Sequence, residues 1–246
     1  MISDVTLIGV ETRAHKLALA ALADTASKAA FGEVIICTDQ PGLMELSGAR
    51  HVIIPDYRDK IAFGLFYYTE AAQHARTSHV LLMEWDAGIN DPAMWSDEFL
   101  EYDYIGAPWP WLETKGLSVG NGGFSLWSKR LADFVYANRE RFPIATDVLV
   151  AQVHRPAIEA AGFKWGPPDV AARFAYEGWT VNGALRPTSR PSSFGFHAVY
   201  NWPYMLTRAD LRRRTWLLKT SPLPDKRPKM NMLFGMAPWL KQEALP

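Results

Sequence analysis

The chain has 246 residues, 48% of them hydrophobic, and its 26 basic and 26 acidic side chains balance to a formal charge of zero. That is apolar material for one substantial core, and a neutral chain has no overall field to draw it to nucleic acid. A single cysteine, Cys37, excludes an internal disulfide and a thiolate zinc cluster. It is expected as a small buried residue in a reducing compartment. The first residues mix Asp4 and Glu11 with apolar ones and have no basic start before an apolar run, unlike a secretory leader. No stretch is long and apolar enough for a bilayer, so the expectation is a soluble, cytoplasmic protein.

In chain order, Val5 to Val10 reads as a strand. A helix through Leu17, Leu22 and Ala26 follows, closed by Gly32, and Val34 to Cys37 is a second strand. Val52 to Ile54 is a third, Ile61 to Ala75 a helix with an aromatic face, and Val80 to Trp85 a strand buried on both sides. Tyr104 to Gly106 and Gly123 to Trp127 continue the strands, with Ser128 capping a helix towards Arg139. Thr146 caps a helix from Asp147 to about Val153, and Pro156 starts another that Gly162 ends. Strands alternating with helices predict an α/β fold with a mainly parallel sheet, helices on both faces, and a ligand site beyond the carboxyl ends of the strands.

Four places carry candidate chemistry. Glu84-Trp85-Asp86 ends the buried run Val80 to Met83; with strand alternation both carboxylates face one way, which suits a hard cation completed by phosphates as well as it suits a solvated acidic turn. Gly120-Asn121-Gly122-Gly123 allows a close backbone approach to a ligand, or an ordinary tight turn. Asp147, at a helix start, is either a general base or part of a helix cap. His197 in Phe194-Gly195-Phe196-His197 is by itself a packed histidine or a ligand.

From about Tyr57 to Ala198 the sequence resembles a family of glycosyltransferase-like proteins classed as a domain of unknown function. The resemblance rests on Phe66-Tyr67, His79 to Gly88, Phe99 to Trp109 (FLEYDYIGAPW), Val119 to Leu126 (VGNGGFSL) and Phe194 to His197 (FGFH), in that order. It implies a GT-A-like, Rossmann-type fold and nucleotide-sugar binding. By position, Asp86 resembles the last acid of the GT-A DxD motif, and His197 the C-terminal histidine that completes the metal shell. Glu84 stands where many relatives have an amide, as a second carboxylate beside the metal. Asn121, Gly122 and Gly123 would line the sugar or acceptor pocket, and Asp147 matches the acid that supplies the base in inverting enzymes. The first βα turn of such a fold borders the nucleotide, which nominates Thr12 and Arg13 after the first strand, together with Asp39 after the second.

The resulting expectation is a metal-dependent glycosyltransferase. Mn²⁺ or Mg²⁺ would sit at Asp86, Glu84 and His197, a nucleotide-sugar (a UDP-sugar favoured) would be the donor, a glycan or other glycoconjugate hydroxyl the acceptor, and the anomeric centre would invert. Trp109 and Trp111, beside Pro108 and Pro110, would form a sugar-stacking platform or packing anchors. The alternatives are a carbohydrate- or nucleotide-binding protein without turnover, and a metal-dependent nucleotidyl or phosphoryl transferase. Residues 1–205 would form the transferase domain. Residues 206–246 would be a basic extension (Arg212, Arg213, Arg214, Lys219, Lys226, Arg227, Lys229), expected as a solvated helix and tail with at most weak peripheral membrane contact.

Overall fold

The structure is a computed structural model and describes residues 2–109, 112, 115–180, 183–184 and 189–241. It opens with β1 (Ile2–Val10), α1 (His15–Lys28), β2 (Phe31–Thr38) and β3 (Arg50–Ile53). Next come α2 (Lys60–Leu65), β4 (His79–Met83), β5 (Gly88–Ile89), β6 (Tyr104–Gly106), β7 (Phe124–Ser128) and α3 (Lys129–Ala137). Beyond these are α4 (Arg155–Ala160), α5 (Pro168–Phe174), β8 (Ala175–Tyr176), and the short strands β9 (Trp179–Thr180) and β10 (Gly183–Ala184). The described chain closes with β11 (Gly195–Phe196), α6 (Trp202–Met205), α7 (Arg208–Thr220) and α8 (Lys226–Met236).

Six strands form one sheet in the order β3-β2-β1-β4-β7-β6, in which only β7 runs opposite to the rest. The 3-2-1-4 half is the Rossmann arrangement, so the α/β expectation holds. Both faces are covered. Gly9 of β1 leaves room for the Leu22 side chain of α1, which a Cβ there would meet at 2.4 Å. Residue alternation puts Thr6 on the other face, and the pairings Thr6↔Val80 and Val80↔Trp127 carry that face across to Trp127, where Tyr68 packs. The helical run 60–74 therefore lies opposite α1.

Three local expectations are corrected. Gly32 does not close the helix: α1 ends at Lys28, and Gly32 sits inside β2 where a Cβ would meet the Ser3 carbonyl oxygen at 2.0 Å. The run expected as one helix from Ile61 to Ala75 changes pitch twice, with α2 passing into a π-helical Phe66–Glu70 and a 3₁₀ Ala71–His74. Gly64 there packs against backbone, its Cβ position 1.9 Å from the Ala145 carbonyl oxygen. The strand expected to reach Trp85 stops at Met83, and residues 84–87 form a turn closed by the Ala87 N–H donating to the Glu84 carbonyl at 3.1 Å.

The C-terminal helices are not a solvated appendage. Leu211, Leu217, Leu218, Leu223, Met230 and Leu233 are buried in the same core as the sheet, and α7 packs on α1. Arg214 is 2% exposed; its guanidinium donates to Asp24 at 3.1 Å and to the Ala87 carbonyl at 3.0 Å. Among the described residues no helix is long and apolar enough to cross a membrane. Cys37 is fully buried in β2, and burial pushes its thiol up to about 12.

Candidate functional site

The site forms where the sheet hands the chain over to the small sheet β5-β11-β8. The Glu84 N–H donates to the Gly123 carbonyl at 2.8 Å, extending the β4–β7 ladder by one residue before the turn. β5 then pairs antiparallel with β11, with Gly88 opposite Phe196, so His197 emerges beside the turn that carries Asp86. The turn is held from beneath: the Trp202 indole N–H donates to the Asp86 carbonyl at 3.1 Å, and Arg214 to that of Ala87.

These constraints bring one ligand atom each from Glu84, Asp86 and His197 within 4.8 Å of one another. His197 Nε2 is 3.3 Å from Asp86 Oδ1 and 3.8 Å from Glu84 Oε2. Asp86 Oδ1 and His197 Nε2 are both buried and make no hydrogen bond among the described residues. Buried polar atoms are ordinarily satisfied, so these two atoms, one from a carboxylate and one from an imidazole, converging with the second carboxylate of Glu84, are a donor set that fits a divalent cation. Burial opposes the charged forms of both groups, but their mutual attraction outweighs it. The Asp86 carboxyl is held below its usual range, and Asp86, Glu177 and Glu84 hold the His197 imidazole well above its own.

The Gly-rich segment makes this packing possible. A Cβ on Gly123 would lie 2.3 Å from His197 Nε2, and one on Gly122 would lie 2.3 Å from the Tyr68 hydroxyl oxygen and 2.8 Å from Asp147 Cβ. Asn121, 1% exposed, places its amide nitrogen 2.9 Å from His197 Nδ1. Asp147 accepts from the N–H of Gly122 at 3.3 Å and of Val148 at 2.8 Å. Burial, then Glu84 and Glu177, push its carboxyl up to about 6. Ala198, directly after His197, has φ 81° and ψ 142°, the only positive φ outside glycine among the described residues. Non-glycine residues in such regions cost about 1–3 kcal/mol and persist only where their surroundings over-determine them. Here the Asn201 amide donates to the His197 carbonyl at 2.6 Å and the His197 N–H to that of Tyr176 at 3.1 Å.

Glu84, Asp86, Gly123, Asp147 and His197 all line one cavity of about 350 Å³. Of the three nucleotide candidates, Arg13 lines it; Thr12 and Asp39 do not. Thr12 is buried with its hydroxyl on the Tyr57 carbonyl at 3.1 Å, and Asp39 pairs with His15 Nε2 at 2.7 Å. Trp109 is 5% exposed and sits against Gly120, its indole N–H donating to Glu177 Oε2 at 3.0 Å, so it packs behind the site; Trp111 lies outside the described residues. Sequence reasoning missed Glu177, Tyr67, Tyr68, Glu11, and the cavity-lining cations Lys60 and Lys229. Tyr67 belongs to the Phe66-Tyr67 pair of the family resemblance, but Glu177 sits in no recognisable motif. Glu11, 1% exposed, accepts from the N–H groups of Thr12 and Arg13, so this carboxylate fills the amide nest at the β1–α1 turn where Rossmann proteins hold phosphate.

A family model described as a protein of unknown function (DUF5672) matches residues 65–197, more than half of the chain. The chain belongs to this family. The DUF5672 region contains Glu84, Asp86, Asn121, Asp147, Glu177 and His197, while Arg13, Lys60 and Lys229 come from outside it. No curated protein matches the chain. Among solved structures, galactosyltransferase LgtC in complex with donor and acceptor sugar analogs aligns at TM-score 0.48 and 13% identity, over 91% of this chain and 99% of that one. Glucosyl-3-phosphoglycerate synthase from Mycobacterium tuberculosis, in complex with Mn²⁺, UDP and glucosyl-3-phosphoglycerate, aligns at 0.40 and 12%, over 56% of this chain; the alignment spans 65% of that protein. CMP:2-keto-3-deoxy-manno-octonic acid synthetase complexed with CTP aligns at 0.42 and 10%, over 65% of this chain and 87% of that one.

Proposed function

We propose that this DUF5672 member is a metal-dependent glycosyltransferase that moves a sugar from a nucleotide-sugar to an acceptor hydroxyl with inversion. The observation that carries this reading is the convergence, in one cavity at the carboxyl edge of the sheet, of the Glu84, Asp86 and His197 donor set and the separate carboxylate of Asp147. Glu84, Asp86 and His197 would hold Mn²⁺ or Mg²⁺, which when bound supplies positive charge for the leaving diphosphate.

The remaining work belongs to the chain's own side chains. Arg13, Lys60 and Lys229 face the same cavity and complement an anionic donor. Asp147 accepts the proton of the acceptor hydroxyl; a carboxyl titrating at about 6 is ionised at neutral pH and more basic than an ordinary aspartate. With the base on the acceptor side and the diphosphate leaving on the other, the attack is in line and the anomeric configuration inverts.

The test is thermal stability with UDP, GDP and CMP, each with and without Mn²⁺, on the native chain and Asp86→Ala. A ligand that binds only the folded state raises stability by about 2.7 kcal/mol at a hundredfold excess over its dissociation constant. A metal-dependent shift with one nucleotide, lost in Asp86→Ala, is the expected result, followed by release of that nucleoside diphosphate on turnover. Stability unmoved by every nucleotide in a folded sample would refute the reading, and release of pyrophosphate instead would transfer the site to nucleotidyl chemistry.

A further inference from the structure

Behind the His197 imidazole stands a carboxylate that the proposed reaction leaves unused. Glu177 follows β8, and 11% of its side chain is exposed. Its Oε1 is 3.3 Å from His197 Nδ1 and accepts from the Tyr200 hydroxyl at 3.2 Å, and its Oε2 accepts from the Trp109 indole N–H at 3.0 Å. Two donors from separate segments therefore fix this carboxylate with one acceptor position turned to the ring.

The same ring nitrogen has a second neighbour. Asn121 Nδ2 is 2.9 Å away, and its orientation follows from Asn121 Oδ1 accepting from the Phe124 N–H at 3.3 Å. The two neighbours require opposite states of Nδ1. Asn121 donates and is satisfied by a lone pair; Glu177 accepts and is satisfied by an N–H. The imidazole that binds a cation is the neutral one, which carries one proton. With that proton on Nδ1, the Nε2 lone pair faces Asp86 and Glu84; with it on Nε2, the ring meets the cluster with a hydrogen.

We propose that Glu177 is a positioning residue of the metal site, holding the proton of His197 at Nδ1 against the competing Asn121 amide and so keeping the Nε2 lone pair aimed between Glu84 and Asp86. The proposal rests on the reading of Glu84, Asp86 and His197 as cation ligands. Carboxylates behind metal-bound histidines fix ring orientation and tautomer, and their loss typically costs 10–100-fold in metal affinity.

The experiment measures Mn²⁺ affinity alone, from the electron paramagnetic resonance signal of free Mn²⁺, on the full chain at neutral pH. It compares the native chain, Glu177→Gln, His197→Ala and the double variant, a cycle that isolates the coupling. Glu177→Gln should weaken Mn²⁺ by about 10–100-fold, whereas in the His197→Ala background the same substitution should change little. Equal losses in both backgrounds would mean that Glu177 acts as a distant charge or as part of the fold, and would overturn the proposal. Unchanged affinity in Glu177→Gln would overturn it too. If Glu177→Gln does not fold, Tyr200→Phe replaces it: the carboxylate keeps its charge but loses one aiming donor, and a smaller loss that again requires His197 is expected, its absence overturning the proposal. A native chain that binds no Mn²⁺ would defeat the metal reading itself, while Mn²⁺ binding that ignores Glu177 would defeat the positioning role alone.

Discussion

Asp147 gives a test in which stability and function move in opposite directions. Its carboxyl is pushed up to about 6 by burial and by Glu84 and Glu177, so the folded state holds this proton more tightly than the unfolded state does. The sign follows: the contribution is fully present below about pH 4, the unfolded range, and is lost as pH rises through about 6. Two pH units at 1.36 kcal/mol each give roughly 3 kcal/mol, and water reaching the half-buried carboxylate reduces this to about 2 kcal/mol. Asp147→Asn has no such titration. It does lose one of the two accepted hydrogen bonds, from Gly122 or Val148, at a cost of about 1 kcal/mol. The variant should therefore be more stable than the native chain by about 1 kcal/mol at pH 8, or about 2–4 °C in melting temperature, and less stable by only a few tenths of a kcal/mol at pH 4.5, where about a third of the contribution is already lost. Melting followed by circular dichroism in EDTA at pH 4.5, 6 and 8 reads this directly, and turnover of the variant should fall by about 10²–10⁴. A stability difference that does not change with pH would refute the electrostatic reasoning, and full turnover in Asp147→Asn would remove it as the base.

Gly123→Ala places a Cβ 2.3 Å from His197 Nε2, so the ring must swing away; Mn²⁺ affinity should drop by at least about tenfold, and titration of the folded variant checks it. Ala198→Gly relieves a φ of 81°; strain relief less the entropy of an added glycine leaves about 1 kcal/mol of gained stability by urea unfolding, together with weaker Mn²⁺ binding because the chain leading out of His197 is freer. Arg214→Met removes the donors to Asp24 and to the Ala87 carbonyl in a site 2% exposed, and should cost about 3 kcal/mol; an unchanged urea midpoint would show that the 84–87 turn does not need this support.

What the sequence revealed follows how local each signal was. The strands of the main sheet were legible because buried β-rich runs such as Val80 to Met83 stand out within a few residues, and Ser128 capped its helix as its position implied, accepting from the Leu131 N–H at 3.1 Å. The pitch changes of residues 60–74 were hidden because Gly64 packs on Ala145 and Gly122 admits Tyr68, contacts set by distant segments. Asp86, Asp147 and His197 were found through motif position, and the structure brings them to one cavity. Strand alternation accounts for Glu84, whose N–H still extends the β4–β7 ladder, but not for Asp86, which the 84–87 turn brings to His197. Glu177 lay beyond sequence reasoning because its role depends on His197, Tyr200 and Trp109 meeting across long separations. Thr12 and Asp39 sit where a generic strand-end argument places a nucleotide, but Glu11 fills the amide nest at Thr12 and His15 holds Asp39.

The two hydrogen bonds that clamp the 84–87 turn span 116 and 127 positions of sequence. Closing loops of that length is slow compared with forming local helices or hairpins, so the turn is expected to acquire its final shape only when α6 and α7 have docked. If Glu84, Asp86 and His197 hold a cation as proposed, its uptake reports completed folding: in a refolding experiment Mn²⁺ uptake should track the last phase to recover native signal, and uptake by an intermediate lacking the docked C-terminal helices would contradict this order. On the proposed reading, a nascent chain would carry Glu84 and Asp86 long before it could present them together as cation ligands.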